Sequence, residues 1–134
     1  MLFGPDFRRH ADDGINARLN WGYAVVRGIV ARAICAAGLH PCLGLHHHNA
    51  SNTFCLADDL IEVFRPIVDG AVFSLLASGA MLAINKDTKQ RLLSALLQPI
   101  ETRGEQRQIF DVAARLAFSL AAVAAGTTKK LCLP

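Results

Sequence analysis

The side chains best suited to chemistry are concentrated in one stretch, Gly44 to Pro66, which reads GLHHHNASNTFCLADDLIEVFRP. Three consecutive histidines, His46, His47 and His48, are followed by a polar turn, Asn49 to Thr53, and then by Asp58, Asp59 and Glu62. On a helix beginning near Phe54 to Leu56, Asp59 and Glu62 stand three apart and Asp58 and Glu62 four apart, so both pairings share a face. Like charges so placed repel by roughly 0.2–0.5 kcal/mol even in water. A bound cation or a proton relieves that cost. Imidazole together with carboxylate oxygen suits a divalent metal of the magnesium or manganese type. The same residues also fit a solvated first helical turn, with the acids favoured by the helix dipole and the histidines in an ordinary loop. On spacing alone both readings stand.

The elements that must position this stretch are helical. Apolar residues Leu19, Tyr23, Val26, Val30 and Ile34 recur at three- and four-residue spacings, predicting a helix from about 16 to 37, ended by Gly38 and Pro41. Asn16 is a candidate N-cap, with Asp13 and Gly14 as competitors, and Arg18, Arg27 and Arg32 lie off the apolar stripe. Gly22 and Gly28 lower helix propensity and allow a neighbouring helix to approach. Trp21 and Tyr23 read as core or interface aromatics. A second helix is expected over about 54–77, broken or kinked near Arg65–Pro66 because proline removes a backbone donor. Ser78–Gly79 ends it, and Ala80 to Ile84 reads as a short edge strand.

Asn85 or Asp87 can cap a third helix over 86–98, whose buried stripe is Leu92, Leu93, Leu96 and Leu97. After Pro99, residues 100–108 read as a polar turn around Gly104. A fourth helix, 106–125, turns Ile109, Val112, Ala113, Leu116, Leu120 and Val123 inward. The tail from Gly126 is expected to be loosely held. The fold class is therefore mainly α, a multi-helix domain with a histidine-rich loop leading into an acidic helix.

Composition narrows the function classes. An apolar fraction of 52% over 134 residues is ample for one core, and the formal charge of +3 is compatible with nucleic acid without requiring it. No apolar run reaches the ~18 residues of a membrane span, no leader-like segment opens the chain, and Cys35, Cys42, Cys55 and Cys132 form no C-x-x-C pair. These features predict a cytoplasmic protein with reduced thiols and no membrane partner. Zinc held by Cys42, His46 and Cys55 is disfavoured by their apolar flanks, leaving buried free thiols as the expectation. No glycine fingerprint for a dinucleotide follows a strand, and no short basic recognition helix follows a tight turn. Arg65, beside the acids, fits either a structural ion pair or a phosphate contact.

The string GLHP–GLHH–N–FCLADDL–E–FRP, with NARLNWGYAVV before it and IVD after it, resembles the helical C-terminal catalytic domain of the CRISPR-associated spacer-acquisition endonuclease/integrase. The resemblance runs from LFGPDF to the closing KKLCLP. It implies that residues 1–134 are part of that domain, with His47, Asp59 and Glu62 as metal-binding and catalytic residues and Mg2+ or Mn2+ as the cofactor. Asn16, Asn20 and Tyr23 would line or support the site, with His46, His48 and Asp58 as neighbours. Implied partners are double-stranded DNA, a small ferredoxin-like spacer-acquisition protein and, for full-length members, a second copy in a homodimer. The family pattern also calls for a glutamate on a helix upstream of LFGPDF and for an amino-terminal β-rich domain, neither of which is in this sequence. The chain alone is therefore expected to be weak or inactive in phosphodiester hydrolysis or transesterification. The alternative is a non-catalytic DNA-binding or structural remnant.

Overall fold

The computed structural model describes residues 14–46, 49–79 and 83–134. In chain order it contains α1 (Gly14–Ala36), α2 (Cys55–Ile61), a 3-10 turn (Glu62–Phe64), α3 (Arg65–Ala77), α4 (Lys86–Leu96), the strands β1 (Ile100–Thr102) and β2 (Glu105–Arg107), and α5 (Ile109–Ala124). The first helix is the central element, packing against each of the other four helices. Its Leu19, Val26, Val30 and Ile34 are buried as their spacing predicts, and Tyr23 is half-buried against the same core. Asn16 is not a cap: it lies inside α1 and is buried. Arg18 also departs from expectation, because it is buried on the core side of the helix rather than off the stripe.

Gly22 sets the distance between α1 and α3. A β-carbon there would lie 2.8 Å from Val68 Cγ1 and 3.8 Å from Leu92 Cδ2, so the missing side chain lets the helices approach. Gly28 has no such role, with nothing within 4 Å of the same position. At the C-terminal end of α1, Gly38 adopts φ 78°, its N–H bonds Cys35 O at 3.0 Å and the N–H of Leu39 bonds Ile34 O at 3.1 Å. This is a Schellman termination, which satisfies carbonyls the helix leaves open.

The expected break at Arg65–Pro66 is present as the 3-10 turn, and Pro66 sits in the first turn of α3, where no amide hydrogen is needed. Asn85 caps α4 in a reciprocal box with Thr88, accepting from Thr88 N at 2.9 Å. Leu92 and Leu96 are buried as expected, but Leu93 is exposed and Leu97 only half-buried, so the inward stripe is narrower than read. The proposed strand at 80–84 falls largely outside the described residues, and Ala83 and Ile84 belong to no strand. On α5, Ile109, Val112, Ala113, Leu116 and Leu120 are buried, whereas Val123 is half-buried.

The segment read as a turn around Gly104 is a hairpin. Thr102 pairs with Glu105, and Arg103 and Gly104 between them have φ 52° and 79°. Positive φ at both central residues matches the twist of a two-residue hairpin. Three-residue strands carrying one large apolar side chain, Ile100, offer too little alternation to be recognised as strands. The tail is held more firmly than expected, since the N–H of Cys132 donates to Ser119 Oγ at 2.8 Å. No helix among the described residues is long and apolar enough to cross a membrane.

The glycine geometry yields opposite signs for one substitution at two sites. Gly22→Ala should destabilise the chain by about 1 kcal/mol, overpacking against stiff, buried Val68 exceeding the helix-propensity gain. Gly28→Ala should stabilise it by about 0.5–1 kcal/mol. Urea midpoints of the two variants check both; the same sign at both sites would contradict the close approach at Gly22.

Asp111 supplies a pH dependence. Its hydrogen bond from Arg107 Nη1 at 2.7 Å, with a second from Arg115 Nε at 3.0 Å, holds its carboxyl below the ordinary aspartate value. A carboxyl depressed on folding stabilises the chain above its unfolded pKa and loses that contribution as pH falls through the folded one. Asp111→Asn should therefore lower the melting temperature at pH 7, and the difference from the parent chain should close under acid. A constant gap from pH 7 to pH 2 would disprove this linkage.

Candidate functional site

The acidic end of α2 faces the loop that carries the histidines. The backbone N–H groups of Leu45 and His46 both donate to Asp59 Oδ2, at 2.6 and 2.9 Å. Two successive amides on one carboxylate oxygen form a charge-assisted anchor. It ties the residue preceding His47 to α2. His47 and His48 themselves lie outside the described residues, so the expected approach of His47 to Asp59 and Glu62 is not part of the described geometry.

Asp58 turns to α1. Its carboxylate meets Arg27, Oδ1 lying 2.7 Å from Nε and Oδ2 accepting from Nη2 at 2.8 Å. Asn52 joins the pair: its Nδ2 donates to Asp58 Oδ2 at 2.7 Å, and its Oδ1 accepts from the N–H of Phe54 at 2.9 Å. The Arg27 guanidinium also lies over the Phe54 ring, 4.7 Å from its centroid. This network fixes the start of α2, which has no side-chain hydrogen bond from its capping residue.

Glu62 begins the 3-10 turn and takes Arg65 in a bidentate pair, Oε2 to Nε at 2.6 Å and Oε1 to Nη2 at 2.8 Å. That pair holds the Arg65 guanidinium above its ordinary pKa, with a further contribution from Tyr23 and Asp69. Arg65 sits 5.6 Å from the Tyr23 ring centroid, and the Tyr23 hydroxyl donates to Asp69 Oδ1. The ion pair with Glu62, one of the two open readings of Arg65, is present.

The three acids are therefore not a mutually repelling cluster. Asp58 is matched by Arg27, Asp59 by loop amides and Glu62 by Arg65. Among the described residues, no three His, Cys, Asp or Glu side chains come together in a way that could hold a metal ion. The cysteine–histidine reading is not supported either. Cys42 Sγ contacts His40 Nδ1 at 2.8 Å, whereas Cys55 is buried and points at the carbonyls of Asn49 and Asn52. Of the four thiols only Cys55 is buried, fewer than expected.

A divalent cation, which the family resemblance implies, is compatible with the donor chemistry. Asp59 and the half-exposed Glu62 are hard oxygen donors at the same end of the fold, and Glu62 already binds one cation, Arg65. Of the positions expected to support the site from α1, Tyr23 meets Arg65 and Asp69, Asn16 is buried and Asn20 is exposed. Sequence reading missed Arg27, Asn52 and Asp69. The signal for Arg27 was available, because it lies one turn beyond Tyr23 on the same face of α1. Asp69 had no comparable signal, since its partner is 46 residues away.

With this geometry established, the comparisons place the chain. The model for CRISPR associated protein Cas1 matches residues 6–103. A CRISPR-associated endonuclease Cas1 of Neisseria meningitidis is 38% identical over 130 residues, 96% of this chain and 42% of that protein. Another from Thermus thermophilus is 38% identical over 89 residues, covering 66% of this chain and 28% of the relative. Among solved structures, a casposase bound to integration product superposes with a TM-score of 0.76 at 29% identity, over 87% of this chain and 37% of that one. The chain thus spans less than half the length of these relatives. A family match across most of the chain, with a relative aligned along nearly all of it, means that the chain belongs to the CRISPR-associated Cas1 family.

Proposed function

We propose that this chain is the metal-binding helical part of a DNA endonuclease/integrase, with His47, Asp59 and Glu62 as its catalytic and metal-binding residues and Mg2+ or Mn2+ as the cation. The observation that carries the reading is the Asp59 anchor, which fixes the loop immediately before His47 against the acidic helix. When bound, the cation supplies Lewis-acid polarisation of a phosphodiester and stabilises charge developing in its cleavage or transfer. The chain's own residues do the rest. Asp59 holds the loop, Glu62 contributes oxygen donors, and Tyr23 with Asp69 steadies Arg65 beside Glu62. Arginines and lysines on a +3 chain would contact double-stranded DNA with salt-sensitive affinity.

In this reading a further metal carboxylate comes from the family's upstream helix, outside these 134 residues. The homodimer and the small ferredoxin-like partner belong to the longer protein. The second reading, a structural or non-catalytic DNA-binding remnant, is favoured by one feature: both Glu62 oxygens are engaged by Arg65.

Two experiments separate the readings. Calorimetric titration with manganese should show a weak event that is lost in His47→Ala and weakened by roughly tenfold or more in Glu62→Ala. Unchanged binding in both variants would remove the site. In supercoiled-plasmid nicking with manganese, the 134-residue chain should be slow or inactive. A chain extended to include the upstream helix should be active, and His47→Ala should abolish that activity. An inert extended chain would favour the remnant.

A further inference from the structure

The hairpin, α5 and the tail enclose a cavity of about 220 Å³ that no residue of α2 or its preceding loop lines. Three guanidiniums line it, those of Arg103 at the hairpin turn, Arg107 on β2 and Arg115 on α5, against one side-chain carboxylate, Glu105. The tail supplies a further wall, held to α5 by the bond from Cys132 N–H to Ser119 Oγ. The cationic donors are unequally used. Arg107 engages Asp111 through Nη1 and Glu105 through Nη2. Arg115 reaches Asp111 through Nε, leaving both its Nη groups open among the described residues. Arg103 meets no carboxylate among the described residues, and its backbone adopts φ 52°. Left-handed backbone is uncommon for such a side chain, and a two-residue turn of this kind favours Asn-Gly. An arginine therefore stands where the backbone disfavours it, an outlier of the kind associated with ligand contacts.

We propose that this cavity receives a phosphate monoester, with Arg103 and Arg115 as its principal donors and Arg107, fixed by its two acids, as a third cation. A guanidinium offers paired N–H groups in a plane that matches phosphate oxygens. Two open guanidiniums suit a dianion with several terminal oxygens, which a monoester has and a single carboxylate lacks. The volume selects the group rather than a larger molecule, being below the roughly 300–1,000 Å³ of pockets that enclose drug-sized ligands. Such a group has two sources, a small phosphorylated molecule or the phosphorylated end of a DNA strand. The proposal does not rest on the metal site, since His46, Asp59 and Glu62 are not among the residues that line the cavity.

Calorimetric titration of the 134-residue chain with inorganic phosphate, in chloride at constant ionic strength, tests the proposal. The parent chain should bind phosphate, and Arg103→Asn and Arg115→Gln should each weaken binding by roughly tenfold or more. Arg103→Asn should at the same time raise the melting temperature without phosphate by about 2–4 °C, because asparagine suits the turn better. Weaker binding in a more stable chain excludes unfolding as its cause. A parent chain that takes up no phosphate, its guanidiniums being satisfied by Glu105, Asp111 and the terminal carboxylate, would overturn the proposal, as would unchanged binding in both variants. Competition by one duplex carrying 5′-phosphates and by the same duplex with 5′-hydroxyls separates the sources. Displacement of phosphate by the phosphorylated duplex alone identifies a DNA end, and displacement by neither identifies a small molecule. Equal displacement by both would mean an internal backbone contact and would overturn the monoester assignment.

Discussion

The close approach of α1 and α3 at Gly22 is the contact on which the other elements build. A bare α-carbon there lets Val68 and Leu92 close over the helix, and the two helices carrying them, α3 and α4, are drawn onto one side of α1. With that face filled, Tyr23 and Arg27, on an adjoining face, reach Asp69 and Asp58. A β-carbon at Gly22 would have to displace a buried, β-branched side chain, and the shift would extend to the polar contacts that α1 makes with α2 and α3.

Those polar contacts explain how α2 survives as a helix. Seven residues are too few to be stable alone, and the residue preceding α2 makes no side-chain cap. The helix is held instead from outside. Pro41 O accepts from Leu56 N at 2.7 Å, Arg27 and Asn52 engage Asp58, and Asp59 receives the two loop amides. The acidic residues that make this stretch look like a metal site are thus also its scaffold. Asp59 serves both roles in the proposed function, which makes its substitution a poor probe of metal binding, whereas among the described residues Glu62 is tied to an exposed arginine three residues away.

Much of this was legible in the sequence where periodicity and punctuation agree. The stripe from Leu19 to Ile34, the stops at Gly38 and Gly79, the Asn85 cap and the break before Pro66 all follow from local rules, and all are present. The hairpin was not legible, because Ile100–Thr102 and Glu105–Arg107 have no alternating apolar pattern and are set by the Arg103–Gly104 turn. Arg18 was misplaced because a charged residue beside an apolar stripe ordinarily points to water. In the candidate site the acids and the loop were legible but their partners were not. Spacing shows that Asp58, Asp59 and Glu62 are near one another, but cannot show that each is matched by a different group contributed from elsewhere in the chain.

The matching of Glu62 bears most directly on whether a cation can enter. Arg65 and Glu62 are both about half exposed, at 48% and 50%, so their attraction is screened by water and contributes at most about 1 kcal/mol. A weak pair of this kind prevents repulsion among neighbouring acids without closing the carboxylate to a stronger ligand. A divalent ion, with twice the charge, would compete for the same oxygens, and the Arg65 guanidinium also lies 5.6 Å from the Tyr23 ring centroid. In the proposed function, the arginine that makes the stretch look purely structural is therefore the kind of partner a metal would displace. Its presence on Glu62 favours the structural reading less than a buried, fully enclosed ion pair would.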